Sequence, residues 1–411
     1  MTDSPSTSTT SAKPKQSARS LAVKASALMA VGSTFSRFLG FVRTFLMGMV
    51  LGGSASIAAN AYSAANVLPN SIWLLIGGGT LNAILVPAIV RAMKHRDGGN
   101  DYMSRLFTLV LLVSTVVTAV CILLVPALLL IANSKLDPGT AQAATLLGYF
   151  LMPQMLFSAV YIMFGQILNA HESFGPFQWA PALNNLVAIL GAILFLVMWG
   201  AQPDGREWTW GMILVLAGSQ VLGSAAQGAL VYFWTRKIGL KVKLKWGFRG
   251  LGLGTLGRLG VWTLGMLFMG QVALFATRWS TGGAVSEVER LQQAGHHGVR
   301  DLYPALATLD WSYTVFMIPQ GIIAVALVTS VFPRMATFAR DRDHANAYRT
   351  YSSMNRVLLV PMMLSTVVLC VLSAPVMWVA VGGTSRASAE ANGLVLAGYT
   401  IGLVPFAALY L

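Results

Sequence analysis

Residues 104–132 read SRLFTLVLLVSTVVTAVCILLVPALLLIA, with one charge, Arg105, at the very start of the run. A helix rises 1.5 Å per residue, so about 20 apolar residues cross the roughly 30 Å of hydrocarbon in a bilayer. The run is long enough. Its Leu, Val, Ala and Ile follow one another without the period-two alternation of a membrane β-barrel strand, and in lipid a helix satisfies its own backbone. The segment is therefore predicted to be a membrane-spanning helix.

The rest of the chain repeats the pattern. Of the 411 residues 55% are hydrophobic and only 10% charged, against roughly 45–50% and about 25% in soluble domains. Further spans are predicted at 21–51, 57–90, 141–168, 180–200, 209–234, 257–280, 305–332 and 354–381, with a tenth starting at 392. The fold class is all-α, a polytopic transmembrane bundle. Residues 1–20 are rich in Ser, Thr and Lys and poor in apolar side chains, which predicts a disordered cytoplasmic tail with no cleavable signal behind it.

Charge gives the orientation. With the N-terminus in the cytoplasm, the opposite side receives only Lys135, Arg206, Arg290, Arg300 and Arg386, and every other Lys or Arg outside the spans falls on the cytoplasmic side. This is the positive-inside pattern. It also accounts for the net charge of +14 without a nucleic-acid partner, since no basic face interleaved with aromatics occurs. The stretch 235–256, with its lysines and glycines, reads as a linker between a first lobe over 21–234 and a second over 257–411. A weak internal repeat supports two lobes: Leu68, Pro69, Asn70 leading to Val86, Pro87, Arg91 parallels Ile318, Pro319, Gln320 leading to Phe332, Pro333, Arg334. Repeats of this kind are common in transporters.

Three arginines, Arg37, Arg43 and Arg278, remain inside spans. A charge at the centre of a span costs about 2.5–3.5 kcal/mol on insertion scales, so it needs a compensating environment. Arg37 and Arg43 are six residues apart, about 240° around a helix and roughly 9 Å along it. At least one is expected to face a water-filled cavity that accepts an anion, because the guanidinium suits bidentate phosphate contacts. The second span carries Asn60, Ser63, Asn66, Pro69, Asn70, Ser71, Gly77, Gly78, Gly79 and Asn82. These residues either pack helices closely or line the cavity, where Asn60, Asn70 and Asn82 would bond a sugar or phosphate. Cys121 and Cys370 read as core residues, and His95, His171, His296, His297 and His344 show neither metal-ligand nor acid–base spacing. No metal, cofactor or catalytic residue is predicted, and no phosphate-binding P-loop is present.

Ser33 to Arg43, reading STFSRFLGFVR, resembles the first-helix signature of the MurJ/MviN family of lipid-linked cell-wall precursor flippases. Leu68, Pro69, Asn70 through Gly78, Gly79, Leu81 to Val86, Pro87 is similar to its second-helix pattern, and Gly165 to Asn169 through Phe174, Ala180, Pro181 and Asn184 resembles a third motif. The resemblance implies two six-helix lobes around a central cavity and translocation of lipid II, an undecaprenyl-pyrophosphate-linked peptidoglycan precursor, by alternating access in the bacterial inner membrane. The protein would not be an enzyme; the remoter alternative, a polyprenyl-phosphate membrane enzyme, would need carboxylates or histidines near the membrane face, and here the histidines are scattered through loops. The implied partners are the lipid-linked substrate, membrane lipids and proteins of cell-wall synthesis.

The candidate substrate-binding set is Arg37, Arg43, Asn60, Asn70, Asn82 and Trp73. The sequence departs from the family pattern where Asn60, Trp73, Gly77 to Gly79, Thr314 and Thr44 stand at positions often charged in the family, with Asp310 and Arg278 as possible compensation. That departure keeps a related polysaccharide-lipid or drug exporter as the alternative. The last residues, Tyr410 and Leu411, lie in an apolar run, so the resemblance implies an incomplete second lobe.

Overall fold

The computed structural model describes residues 14–74, 99–133, 136–171, 173–247, 253–296, 299–324 and 341–409, with isolated positions in between; for 14–30 and 253–264 it describes the backbone alone. Among these residues there are helices and no strands. In chain order they are α1 (Pro14–Leu51), α2 (Ile57–Trp73), α3 (Asn100–Leu123), α4 (Val125–Ala132), α5 (Pro138–Leu151), α6 (Gln154–Ala170), α7 (Phe174–Trp199) and α8 (Trp210–Lys237). Then follow α9 (Leu253–Gln293), α10 (Val299–Leu302), α11 (Leu306–Pro319), α12 (His344–Val371), α13 (Ser373–Ala380), α14 (Arg386–Ile401) and α15 (Leu403–Leu409).

Six described helices or helix pairs are long and apolar enough to cross a membrane, and α5 with α6, bent by 40° at their break, passes the same test only as a pair. The chain is a multi-pass membrane protein. Prolines set the bends. Pro126, Pro153, Pro375 and Pro405 each stand within three residues of a break between paired helices, at Leu124, Met152–Pro153, Leu372 and Gly402. A proline withholds the N–H that would continue the helix and crowds the carbonyl four residues back. Helix starts are fixed by side-chain caps: Ser56 accepts from the Ala59 N–H at 2.9 Å, Asp137 from Thr140 at 2.9 Å and Ser385 from Ser388 at 3.1 Å.

Some predicted boundaries move. Residues 14–20, expected as disordered tail, form the first turns of α1: Pro14 suits the first helical position and Lys15, Gln16, Ala18, Arg19 and Leu21 are good helix formers. The seventh span continues as helix to Gln293, well past the expected end at 280. The ninth starts at His344, ten residues before the expected start at 354, where Asp343 caps it by accepting from Asn346 N at 3.1 Å. In the linker range, residues up to Lys237 belong to α8 and those from Leu253 to α9. Beyond Pro319 the helix widens into a π-helical turn, Gln320–Ala324. The later part of the internal repeat, Val86 to Arg91 and Phe332 to Arg334, lies outside the described residues, as do Gly77 to Gly79 and Asn82.

Three apolar clusters show how the halves meet. The largest joins the end of α1, α2, α5, α7 and α8 to Leu306, Trp311 and Val315 of α11, Met377 of α13 and Leu396 of α14. A second is confined to the first half around Met103, Phe164, Ile167 and Val242, and a third to the second half around Phe316, Met362 and Leu403. The halves are therefore fused at the end where α1 finishes, part around Arg43, and touch again where Arg37 lies over Gly321. Backbone contact is close at the fused end: a Cβ on Gly48 would lie 2.6 Å from the Gly382 carbonyl oxygen. Asn392 donates to Ser54, and the Ala307 N–H donates to Asn60 Oδ1 at 3.1 Å. The space between the separated parts is the cavity.

Candidate functional site: the central cavity

A cavity of about 810 Å³ lies between α1, α2, α7, α9, α11 and α14. Its polar wall includes Arg43, Asn66, Asn70, Asn185, Gln271 and Asp310, and its aromatic wall Tyr62, Trp311, Tyr313 and Tyr399.

Arg43 is half-buried and belongs to the lining. Its Nη1 donates to Asn185 Oδ1 on α7 at 3.4 Å, while Asn185 Nδ2 donates to the Ser36 carbonyl at 2.9 Å. Those two bonds fix which way the amide points. Gly40 lies beside the Asn185 amide, and a Cβ there would meet Asn185 Nδ2 at 3.5 Å, an ordinary contact distance. A small residue between two spans is how membrane helices approach closely. Among the described residues no carboxylate lies within ion-pair distance of Arg43, so its charge faces the cavity held only by a neutral amide.

Arg278 is handled in the opposite way. It is 1% exposed, and its guanidinium meets Asp310 on α11, donates to Asn133 Oδ1 at 3.1 Å and to Ser63 Oγ at 3.2 Å. The Ser63 hydroxyl also donates to Asp310. A buried charge needs a partner and further hydrogen bonds, and Arg278 has both. The pair contributes little net charge to the cavity, so Arg43 gives the described lining its positive sign.

The other sequence candidates divide. Arg37 is not among the lining residues; its guanidinium lies directly over Gly321 in the π-helical turn, and its Nε is buried without a hydrogen-bond partner among the described residues. A separation of 240° around α1 sends the two arginines to different neighbours. Asn60 is 2% exposed and points away from the cavity, its Nδ2 bonded to the Ser56 carbonyl at 2.8 Å and its Oδ1 to the Ala307 N–H. Here the packing alternative describes the placement. Asn70 is exposed and lines the cavity, its Nδ2 donating to the Asn66 carbonyl at 2.9 Å. Trp73 ends α2 but its side chain, like all of Asn82, falls outside the described residues.

Sequence reasoning did not find Asn185, Gln271, Tyr313 or Tyr399. Asn185 follows the quoted Asn184, which instead lies against Gly223 of α8. The signal was present as a second polar residue in an otherwise apolar span. Among the described residues no three His, Cys, Asp or Glu side chains gather as metal ligands would.

The sequence profile described as lipid II flippase MurJ matches residues 48–411. The probable lipid II flippase MurJ of Rhizobium tropici is 25% identical over 310 residues, 73% of this chain and 52% of that protein. The chain spans about half to two thirds of the length of the curated relatives it matches. A solved lipid II flippase MurJ in an inward closed conformation superposes with a TM-score of 0.70 at 19% identity, covering 93% of this chain and 74% of that one. A multidrug transporter of the MATE family, inward-facing, gives 0.60 at 13% identity, covering 93% and 84%. At such identities the likenesses show the fold, which is that of these transporters: helical lobes around a central cavity. With a profile match across most of its length, the chain belongs to the lipid II flippase MurJ family.

Proposed function

We propose that this protein moves a lipid-linked cell-wall precursor bearing a pyrophosphate, lipid II, from the inner to the outer leaflet of the bacterial inner membrane by alternating access of two lobes. The N-terminus is cytoplasmic in this reading. The observation that carries it is Arg43: a cavity-facing guanidinium whose bonded partner is an amide and not a carboxylate. Such a group is free to take a phosphate in bidentate contact. Asn66, Asn70, Ser71 and Gln271 offer donors and acceptors for the attached sugars. The fused end formed by Leu306, Met377 and the Gly48–Gly382 contact closes one end of the cavity, as alternating access requires of one side at a time.

One observation favours the alternative of a related polysaccharide-lipid or drug exporter. Over Ile57–Trp73 the wall formed by α2 carries no charged side chain. The two readings separate in bacteria depleted of their own lipid II flippase and supplied with the complete gene that carries this sequence. Restored growth supports lipid II as substrate. Stable insertion with no rescue contradicts that assignment and favours a different amphiphile.

A further inference from the structure

The segment between α8 and α9 is held more tightly than a loop joining two spans requires. The backbone N–H groups of Lys241, Lys243 and Lys245 donate to Asn100 Oδ1 at 2.9 Å, Ser104 Oγ at 3.2 Å and Thr108 Oγ1 at 2.7 Å. The three acceptors stand four residues apart on one face of α3, about 6 Å per step. Two residues of extended chain advance about 6.6 Å. The steps match, so residues 241–245 run as an extended strand bound along α3. Period two then sorts the side chains: Leu240 and Val242 are buried with Met103, Leu106 and Val110, while Lys241, Lys243 and Lys245 are exposed.

α3 is a membrane-crossing helix, and the strand lies along its first turns, where a span meets the headgroups. The side chains of α3 give these backbone N–H groups fixed partners and so hold the segment in place. Lys245 reaches back to Asp101, which Arg105 also engages at 2.9 Å. Lys241 and Lys243 have no carboxylate within ion-pair distance among the described residues. Arg236 and Lys237 add two exposed cations at the adjoining end of α8, and Leu244 and Trp246 are 64% and 71% exposed in the same strip. The positive-inside pattern accounts for how many cations lie here. It does not account for a pinned row of them beside exposed apolar side chains.

We propose that this strip is a binding site for anionic phospholipid headgroups. Lys241 and Lys243, with Arg236 and Lys237, hold the phosphates, and Leu244 and Trp246 lie against the upper acyl chains. Charge complementarity selects the anionic lipid, and the exposed Leu and Trp select a bilayer over a soluble acidic partner.

The test uses the intact purified protein with Lys241→Gln and Lys243→Gln combined; both side chains are exposed, so the fold tolerates the change. Thermal unfolding is followed with added phosphatidylglycerol or phosphatidylcholine, and retained phosphatidylglycerol is counted by native mass spectrometry. The wild type should gain more from phosphatidylglycerol than from phosphatidylcholine. The double variant should lose most of that difference and retain fewer anionic lipids, while a control with Arg290→Gln and Arg386→Gln keeps both. An undiminished phosphatidylglycerol effect in the Lys241/Lys243 variant, or an equal loss in the control, would overturn the proposal.

Discussion

Arg278 Nη2 lies 2.6 Å from Oδ1 and 2.7 Å from Oδ2 of Asp310, so a single guanidinium nitrogen bridges both carboxylate oxygens between α9 and α11. The same guanidinium reaches Ser63 on α2 and Asn133 beyond α4, tying the second half of the chain to the first. Removing the acid strands a charge that is 1% exposed. Breaking one partner of a buried pair costs about 3–5 kcal/mol, and the low end applies here because Asp310 keeps part of its surface open to the cavity. Asp310→Ala should lower the unfolding midpoint in detergent clearly more than Arg278→Met combined with Asp310→Leu. Equal losses would mean that the pair is a surface contact.

Asn185 is predicted to act through Arg43. Asn185→Ala frees the guanidinium from one bond and should weaken binding of undecaprenyl pyrophosphate about tenfold or less, the worth of one hydrogen bond to a charged group at about 1.4 kcal/mol. Asn185→Asp keeps the shape but places a carboxylate beside Arg43, and should weaken binding more than Ala does. Titration of the purified variants with the lipid gives the order; Asp binding as well as wild type would show that Arg43 does not hold the anion.

Gly321 makes room for Arg37. A Cβ at this position would overlap the guanidinium, which is the movable end of a long side chain. Gly321→Ala should therefore leave thermal stability nearly unchanged while displacing Arg37. If Arg37 matters to transport, Gly321→Ala and Arg37→Ala should impair it to similar degrees, and the double variant no further. Additive losses would separate the two.

Gly48 has no such escape. Its virtual Cβ meets the backbone of Gly382, with the carbonyl oxygen at 2.6 Å and the nitrogen at 2.8 Å, where the two halves fuse. Overpacking of this kind costs about 1–3 kcal/mol. Gly48→Ala should lower the unfolding midpoint, or open the fused end so that a cysteine at Ser54 becomes reactive to a membrane-impermeant maleimide; neither change would contradict the closure described.

The spans were legible because apolar length is a strong signal, and their bends follow from prolines visible at Pro126 and Pro153. Boundaries such as the start of α12 were not, because His344 to Arg356 is polar and its helix is set by the Asp343 cap rather than by apolar content. At the site, the presence of intramembrane arginines was readable, and so was their angular separation. Which of them lines the cavity was not, since it depends on Gly321 and Asn185, each distant in sequence from the first helix. Asn60 shows the same limit: a polar residue in a span reads alike whether it faces a ligand or, as here, an N–H of another helix.

The central claim is that the Arg43 charge grips the head group during translocation. The direct measurement is the fraction of lipid II accessible from the outer face of flippase-depleted cells expressing the complete gene, compared between wild type and well-expressed Arg43→Ala. The account predicts outer-leaflet lipid II with the wild type and near-background levels with the variant. Equal accessibility in both would contradict it.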